Sequence, residues 1–141
     1  IGTDGAASNN DLDMLGEMRT AALLAKGIAK DSTCCNAHTT LKMATLNGAI
    51  ALGLNKSIGS LKKDKQADIV AIDLEKIETI PLYESISQII YSSTREQISD
   101  VWIAGKRLLS NRRLTTLNLE ELISNAKLWE KKKKNQKLKN T

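Results

Sequence analysis

The chain has 141 residues, long enough for a domain with a core of its own, and 41% of them are hydrophobic. Aromatic residues are scarce (two Trp, two Tyr, no Phe), so that core must be built from Leu, Ile, Val and Ala, and no apolar run approaches the length of a membrane-spanning helix. Six Lys and no acid fall within residues 131–141, which leaves the first 130 residues at a net charge of −1 out of a total of +5; with no aromatic residue among those Lys, the balance argues against a nucleic-acid-binding fold.

Residues 1–10, IGTDGAASNN, open on an apolar stub that ends in a carboxylate, Asp4, and runs on into small, turn-forming residues. A strand ending in Asp, then a small-residue loop and a helix, is the βα unit of an α/β protein. The loops at the carboxyl ends of its strands are where such a fold binds and reacts. Asp4 is thus a candidate metal ligand or proton shuttle, and equally a plain turn-former.

Residues 11–29 place Leu12, Leu15, Met18, Ala22, Ala25 and Ile28 at spacings of three and four, the pattern of a helix with a broad buried face. Asn10 or Asp11 suits its N-cap and Asp13 its first turn, while Glu17 and Arg19 ride on it without a defined role. Cys34 and Cys35 are adjacent, lack the spacing of a zinc or redox motif, and read as free thiols. A second helix is expected over residues 38–52, with Met43, Leu46 and Ile50 on one face and Gly53 as C-cap. The only His, His38, falls at its start and cannot compose a metal site alone.

After Gly53 the pattern predicts a short extended piece from residue 58, a polar turn over 62–66 and a strand over 67–73. Ile69, Val70, Ala71 and Ile72 are apolar on both faces of that strand, which implies cover on both sides. A short helix is expected over 84–91, after the single Pro, Pro81, and a hairpin over 98–109 turning at Ala104, Gly105 and Lys106. A final helix opens at Asn118, with Glu121 at capping-box spacing, and continues through Leu119, Leu122, Ala126 and Trp129 into the Lys run, a solvated helix end or a tail. A few strands without evident partners make a poor sheet, so part of the fold is expected to lie outside this sequence.

Four blocks carry more than periodicity: GTDGAASNNDLDMLGEMRTAALLAK, LKMATLNGAIALGL, IGSLKKDKQADIVAIDL and ISDVWIAGKRLL. In this order they resemble the C-terminal part of the metal-dependent amidohydrolases, in the branch of the 5-methylthioadenosine/S-adenosylhomocysteine deaminases, beside the chlorohydrolases and guanine deaminases. The likeness covers residues 1–116. It implies an α/β fold: the last strand and helices of a (β/α)8 barrel over residues 1–56, the C-terminal half of a small composite β-sandwich with a short helix over 57–116, and a C-terminal helix with a Lys-rich tail over 117–141.

The same resemblance implies that Asp4 ends the eighth strand, contacts a catalytic divalent metal, zinc in most members, and shuttles the proton of the attacking water. Ser8, Asn9 and Asn10 would then lie at the barrel mouth beside the substrate. The implied reaction replaces the adenine 6-amino group of a nucleoside by oxygen and releases ammonia, in a cytoplasmic homo-oligomer. The family's His ligands and catalytic Glu have no counterpart here, and KKDKQAD stands where Pro-Gly-Lys is more usual. The expectation is therefore a C-terminal portion, inactive by itself, that works with the N-terminal part of the same enzyme. Two rivals remain: another amidohydrolase reaction, triazine dechlorination or guanine deamination, and a non-catalytic module that holds polyanions through the Lys tail.

Overall fold

A computed structural model gives the fold for residues 1–139, with side-chain surroundings through residue 136. The first helix, α1, spans Met14–Ala29 and starts from Asp13, whose Oδ1 accepts the Leu15 N–H at 3.0 Å. The cap falls later than Asn10 or Asp11 because Asp11 is already committed: its N–H donates to Asn9 Oδ1 at 3.1 Å and its carboxylate pairs with Arg95. Leu15, Met18 and Ala22 form the buried face, whereas Leu12 and Ile28, expected on it, stand exposed.

The helix expected over 38–52 is two helices, α2 (Ala37–Ala44) and α3 (Leu46–Ala51). Thr45 breaks the run with φ −123° and ψ −89°, and its hydroxyl donates back to the Leu41 carbonyl at 2.7 Å, in competition with the helical ladder. The following loop presses on this break. Gly59, at φ +84°, lies so close that a Cβ would stand 2.6 Å from Ala49 Cβ, so only glycine fits. At the end of α3, Gly53 (φ +70°) donates to Ile50 O at 3.0 Å and Leu54 to Ala49 O at 2.8 Å, a Schellman closure at the glycine where a C-cap is expected.

Helix α4, Ser85–Tyr91, is capped by Glu84, whose carboxylate accepts the Ile86 and Ser87 N–H groups; the Ser87 bond above all holds that carboxyl below its ordinary range. α1, α2 and α4 enclose the core of Leu15, Met18, Ala22, Ala37 and Ile90, with Ile1, Leu41, Ile72 and Ile98 packed against it. Residues 1–4 form no strand, because no neighbouring segment among the described residues offers them a hydrogen-bonding ladder.

The sheet is antiparallel and runs in chain order: β1 (Ile69–Ile72), β2 (Ile98–Ile103), β3 (Lys106–Ser110) and β4 (Arg113–Leu114). Ala104 (φ 48°) and Gly105 (φ 79°) make the β2–β3 turn with positive φ at both central positions, the twist that closes a two-residue hairpin. Asp68 secures it by accepting the Ala104 N–H at 2.7 Å. Residues 58–60 bend instead of extending, since the Lys65 ammonium gathers Ile58 O at 3.0 Å and Ser60 Oγ at 2.8 Å around itself. Nor is β1 covered along its length: Val70 is 53% exposed although it shares a face with Ile72, because the α1–α2–α4 core reaches that face only at its Ile72–Ile98 end.

On the sheet face shared by Asp100, Trp102 and Arg107, the buried Asp100 carboxylate accepts Arg107 Nε at 3.1 Å and the Asn111 N–H at 3.0 Å, while the Arg107 guanidinium stacks over Trp102. Helix α5, Leu119–Lys139, starts from Asn118, whose Oδ1 accepts the Glu120 N–H at 3.0 Å. It carries the Lys run within the helix, and Leu119, Leu122, Ile123 and Trp129 along it are exposed. No helix among the described residues is long and apolar enough to cross a membrane.

Arg107 first, then Ser99 and the Asn111 N–H, hold the Asp100 carboxyl at about 2 against its ordinary value of 3.8. A folded-state value below the unfolded one means that this carboxylate stabilises the fold at neutral pH and that the contribution is lost as pH falls from about 4 to about 2. Asp100→Asn in the full-length protein is expected to lower the denaturant midpoint at pH 6 and to flatten its decline between pH 4 and pH 2. An unchanged acid limb would contradict this.

Candidate functional site

The amino-terminal loop is built from the backbone outward. Ser8 and Asn9 both donate their N–H groups to the Gly5 carbonyl, at 2.9 and 3.0 Å, which closes a tight turn directly after Asp4. Asp4 sits at φ 58°, in the left-handed region that a non-glycine residue enters at a cost of roughly 1–2 kcal/mol, although Asp tolerates it better than most. Its carboxylate is exposed. Oδ1 accepts the Gly5 N–H at 2.7 Å, and among the described residues nothing donates to Oδ2.

Asn9 turns inward. Its Nδ2 donates to Thr3 O at 2.9 Å and to Glu17 Oε1 at 2.7 Å, while Oδ1 accepts the Asp11 N–H. The Ser8 and Asn10 side chains make no hydrogen bond to any described residue, and both residues are exposed. The structure therefore brings Asp4, Ser8, Asn9 and Asn10 into one loop at the head of α1, with Glu17 as a fifth member. Glu17 carries no sequence signal beyond its place in the first turn, because the bond to Asn9 spans a loop whose path the sequence does not state.

The other candidates lie elsewhere. His38 is exposed on α2, and Cys34 and Cys35 are free thiols, the Cys35 Sγ lying 3.4 Å from Thr40 Oγ1. The carboxylates whose pKa is lowered lie away from this loop: Asp31 by Thr33, Asp73 by the Glu75 N–H and Glu84 by Ser87 in turns and a cap, and Asp100 by Arg107 within β2. Arg19, silent in the sequence, joins α1 to the carboxyl end of α4. Its Nε donates to Ile90 O at 3.3 Å and its terminal nitrogen to Ser93 O at 2.5 Å, a cation on the carbonyls that a helix leaves unsatisfied.

A catalytic divalent ion takes about three protein ligands. Among the described residues no three His, Cys, Asp or Glu side chains stand together in that way. Asp4, exposed and with one carboxylate oxygen open, fits as a single hard oxygen ligand and no more. Two open depressions, one beside Leu61 and Ile69 and one beside Arg112 and Leu117, include no residue of this loop.

The chain belongs to the amidohydrolase family, which residues 1–108 match. More narrowly, it is 46% identical over 132 residues to a 5-methylthioadenosine/S-adenosylhomocysteine deaminase of Teredinibacter turnerae, covering 94% of this chain and 30% of the relative. A 5'-deoxyadenosine deaminase of Methanococcoides burtonii is 43% identical over 127 residues, 90% of this chain and 29% of the relative. An adenosine deaminase structure from Xanthomonas campestris with bound zinc shares 53% identity at a TM-score of 0.90, over 94% of this chain and 30% of that one. An atrazine chlorohydrolase from Arthrobacter aurescens, in complex with zinc, shares 27% at a TM-score of 0.81, over 88% and 28%. The chain thus spans about 30% of the length of the curated relatives it matches.

Removing the Arg19 guanidinium while keeping its apolar stem, in Arg19→Met, is expected to destabilise the full-length protein by about 1.5–3 kcal/mol, the usual range for a charged hydrogen bond. Chemical denaturation reads this directly, and an unchanged midpoint would show that the α1–α4 tie contributes nothing.

Proposed function

We propose that these residues form the C-terminal part of a zinc-dependent deaminase of adenosine-type nucleosides, of the kind that accepts 5'-methylthioadenosine and S-adenosylhomocysteine. The observation that carries this reading is the likeness, over nearly the whole chain, to the zinc-bound adenosine deaminase. In this reading residues 1–56 complete a (β/α)8 barrel and residues 57–116 supply half of a composite β-sandwich. The large apolar side chains left exposed, Leu23, Leu24 and Ile28 on α1, Leu52 after α3 and Val70 on β1, are surfaces for the remainder of the enzyme to cover.

Asp4 would supply one carboxylate oxygen to the divalent cation. When bound, that cation would lower the pKa of the attacking water to about 7. The Asp4 carboxylate takes the proton of the attacking water and returns it to the departing nitrogen, so the adenine 6-amino group leaves as ammonia and oxygen takes its place. The Gly5 N–H on Oδ1 fixes the carboxylate while this happens. Ser8 and Asn10, both exposed, are free to address the nucleoside.

The chlorohydrolase likeness supports the same fold and metal but stands at lower identity, which favours deamination over dechlorination. Purified full-length protein is expected to release ammonia from 5'-methylthioadenosine and S-adenosylhomocysteine and to leave atrazine and guanine unchanged. Asp4→Asn is expected to lower kcat by at least about a hundredfold without changing the circular dichroism spectrum. Wild-type turnover in Asp4→Asn, or chloride release from atrazine in place of deamination, would contradict the reading. Residues 1–141 expressed alone are expected to retain no stoichiometric zinc, as one carboxylate is too few ligands.

A further inference from the structure

Both polar atoms of the Asn9 side chain, and its backbone N–H, are engaged inside the protein. The two acceptors facing Nδ2, Thr3 O at 2.9 Å and Glu17 Oε1 at 2.7 Å, fix which way the amide points, because only the nitrogen can donate to both. The oxygen faces the Asp11 N–H at 3.1 Å, and the backbone N–H is held by Gly5 O at 3.0 Å. A side chain so occupied has no donor left for a ligand.

What it does hold is the peptide carbonyl directly before Asp4, the residue in the left-handed conformation. A non-glycine residue stays there only where its surroundings over-determine it. Those surroundings run back to the core: Leu15 and Met18 bury one face of α1, α1 carries Glu17, Glu17 orients Asn9, and Asn9 pins Thr3.

The geometry points to Asn9 as a positioning residue for Asp4, with Glu17 as its anchor, and not as a substrate contact. The inference rests on the reading above, in which Asp4 is a carboxylate of the metal centre. Outer partners of this kind, although they do not touch the ion, set the orientation of the group that does.

The test uses the full-length enzyme and two readouts: zinc dissociation in competition with a chelator, and steady-state kinetics separated into kcat and KM. Asn9→Ala is expected to weaken zinc retention and to lower kcat, each by about 10–100-fold, with KM unchanged. Glu17→Ala, which leaves the Asn9–Thr3 bond in place and guards against a misfolded Asn9 variant, is expected to move both in the same direction. Because the two residues act in series, the double variant should be no worse than Asn9→Ala. Glu17→Gln keeps an oxygen for Asn9 to donate to and should recover most of what Glu17→Ala loses.

A raised KM with zinc retention intact would make Asn9 a substrate contact and overturn the inference, as would losses that multiply in the double variant. If Asp4→Asn loses zinc and turnover while Asn9→Ala and Glu17→Ala lose neither, the positioning role alone fails. If Asp4→Asn keeps both, the functional reading fails and this inference falls with it.

Discussion

The Asn9 amide is wedged between a carbonyl on one side and a carboxylate on the other, and through it the loop that carries Asp4 is fastened to α1. Ile1, packed on the core with its ammonium on Met43 O, and the Asp11–Arg95 pair hold the two ends of the segment. Apart from that wedge, residues 2–10 make only short-range hydrogen bonds among themselves and to Asp11, which close a turn without orienting it relative to the core. The helix on the other side is anchored by apolar burial at Leu15, Met18 and Ala22 and by the Arg19 guanidinium on the end of α4. Position is therefore passed from the packed interior to an exposed carboxylate through one helix and two polar side chains. That is how an exposed group acquires a fixed place, and a metal ligand needs one more than a turn residue does.

The two halves of the chain solve different problems. α1, α2 and α4 bury a core of modest size, and the sheet is locked by the Asp100–Arg107 pair and the tight Ala104–Gly105 turn. Yet large apolar side chains remain exposed on α1, after α3, on β1 and along α5. Single exposed apolar residues are ordinary, but so many on several elements are not. Together with a span of about 30% of the relatives' length, they support the proposal that these faces meet further parts of one enzyme.

Local physics made much of this legible in the sequence. The apolar spacing of Leu15, Met18 and Ala22, the Gly53 cap, the Ala104–Gly105 hairpin and the Asn118 helix start are each written in a few neighbouring residues, and each stands where expected. The break at Thr45 was not legible, because it is tied to the pressure of Gly59 on Ala49, a contact ten residues apart in sequence. The bends at 58–60 were missed for the same kind of reason: one Lys65 ammonium outweighed strand propensity once its carbonyl partners had gathered around it. Asp4 was visible as a candidate through its place before a small-residue loop. The partnership of Asn9 with Glu17 was not, since a helix-borne carboxylate in a first turn reads as a dipole companion until the loop's path is known.

The central claim is that Asp4 is a metal-binding carboxylate held in place by Asn9. It is tested most directly by a crystal structure of the full-length protein grown with zinc, with anomalous diffraction collected on both sides of the zinc absorption edge. The account predicts an anomalous peak within coordination distance of an Asp4 carboxylate oxygen, with the Asn9 amide still donating to Thr3 O and Glu17. A zinc peak remote from Asp4, or an Asn9 side chain turned away from Glu17 toward a bound nucleoside, would contradict it.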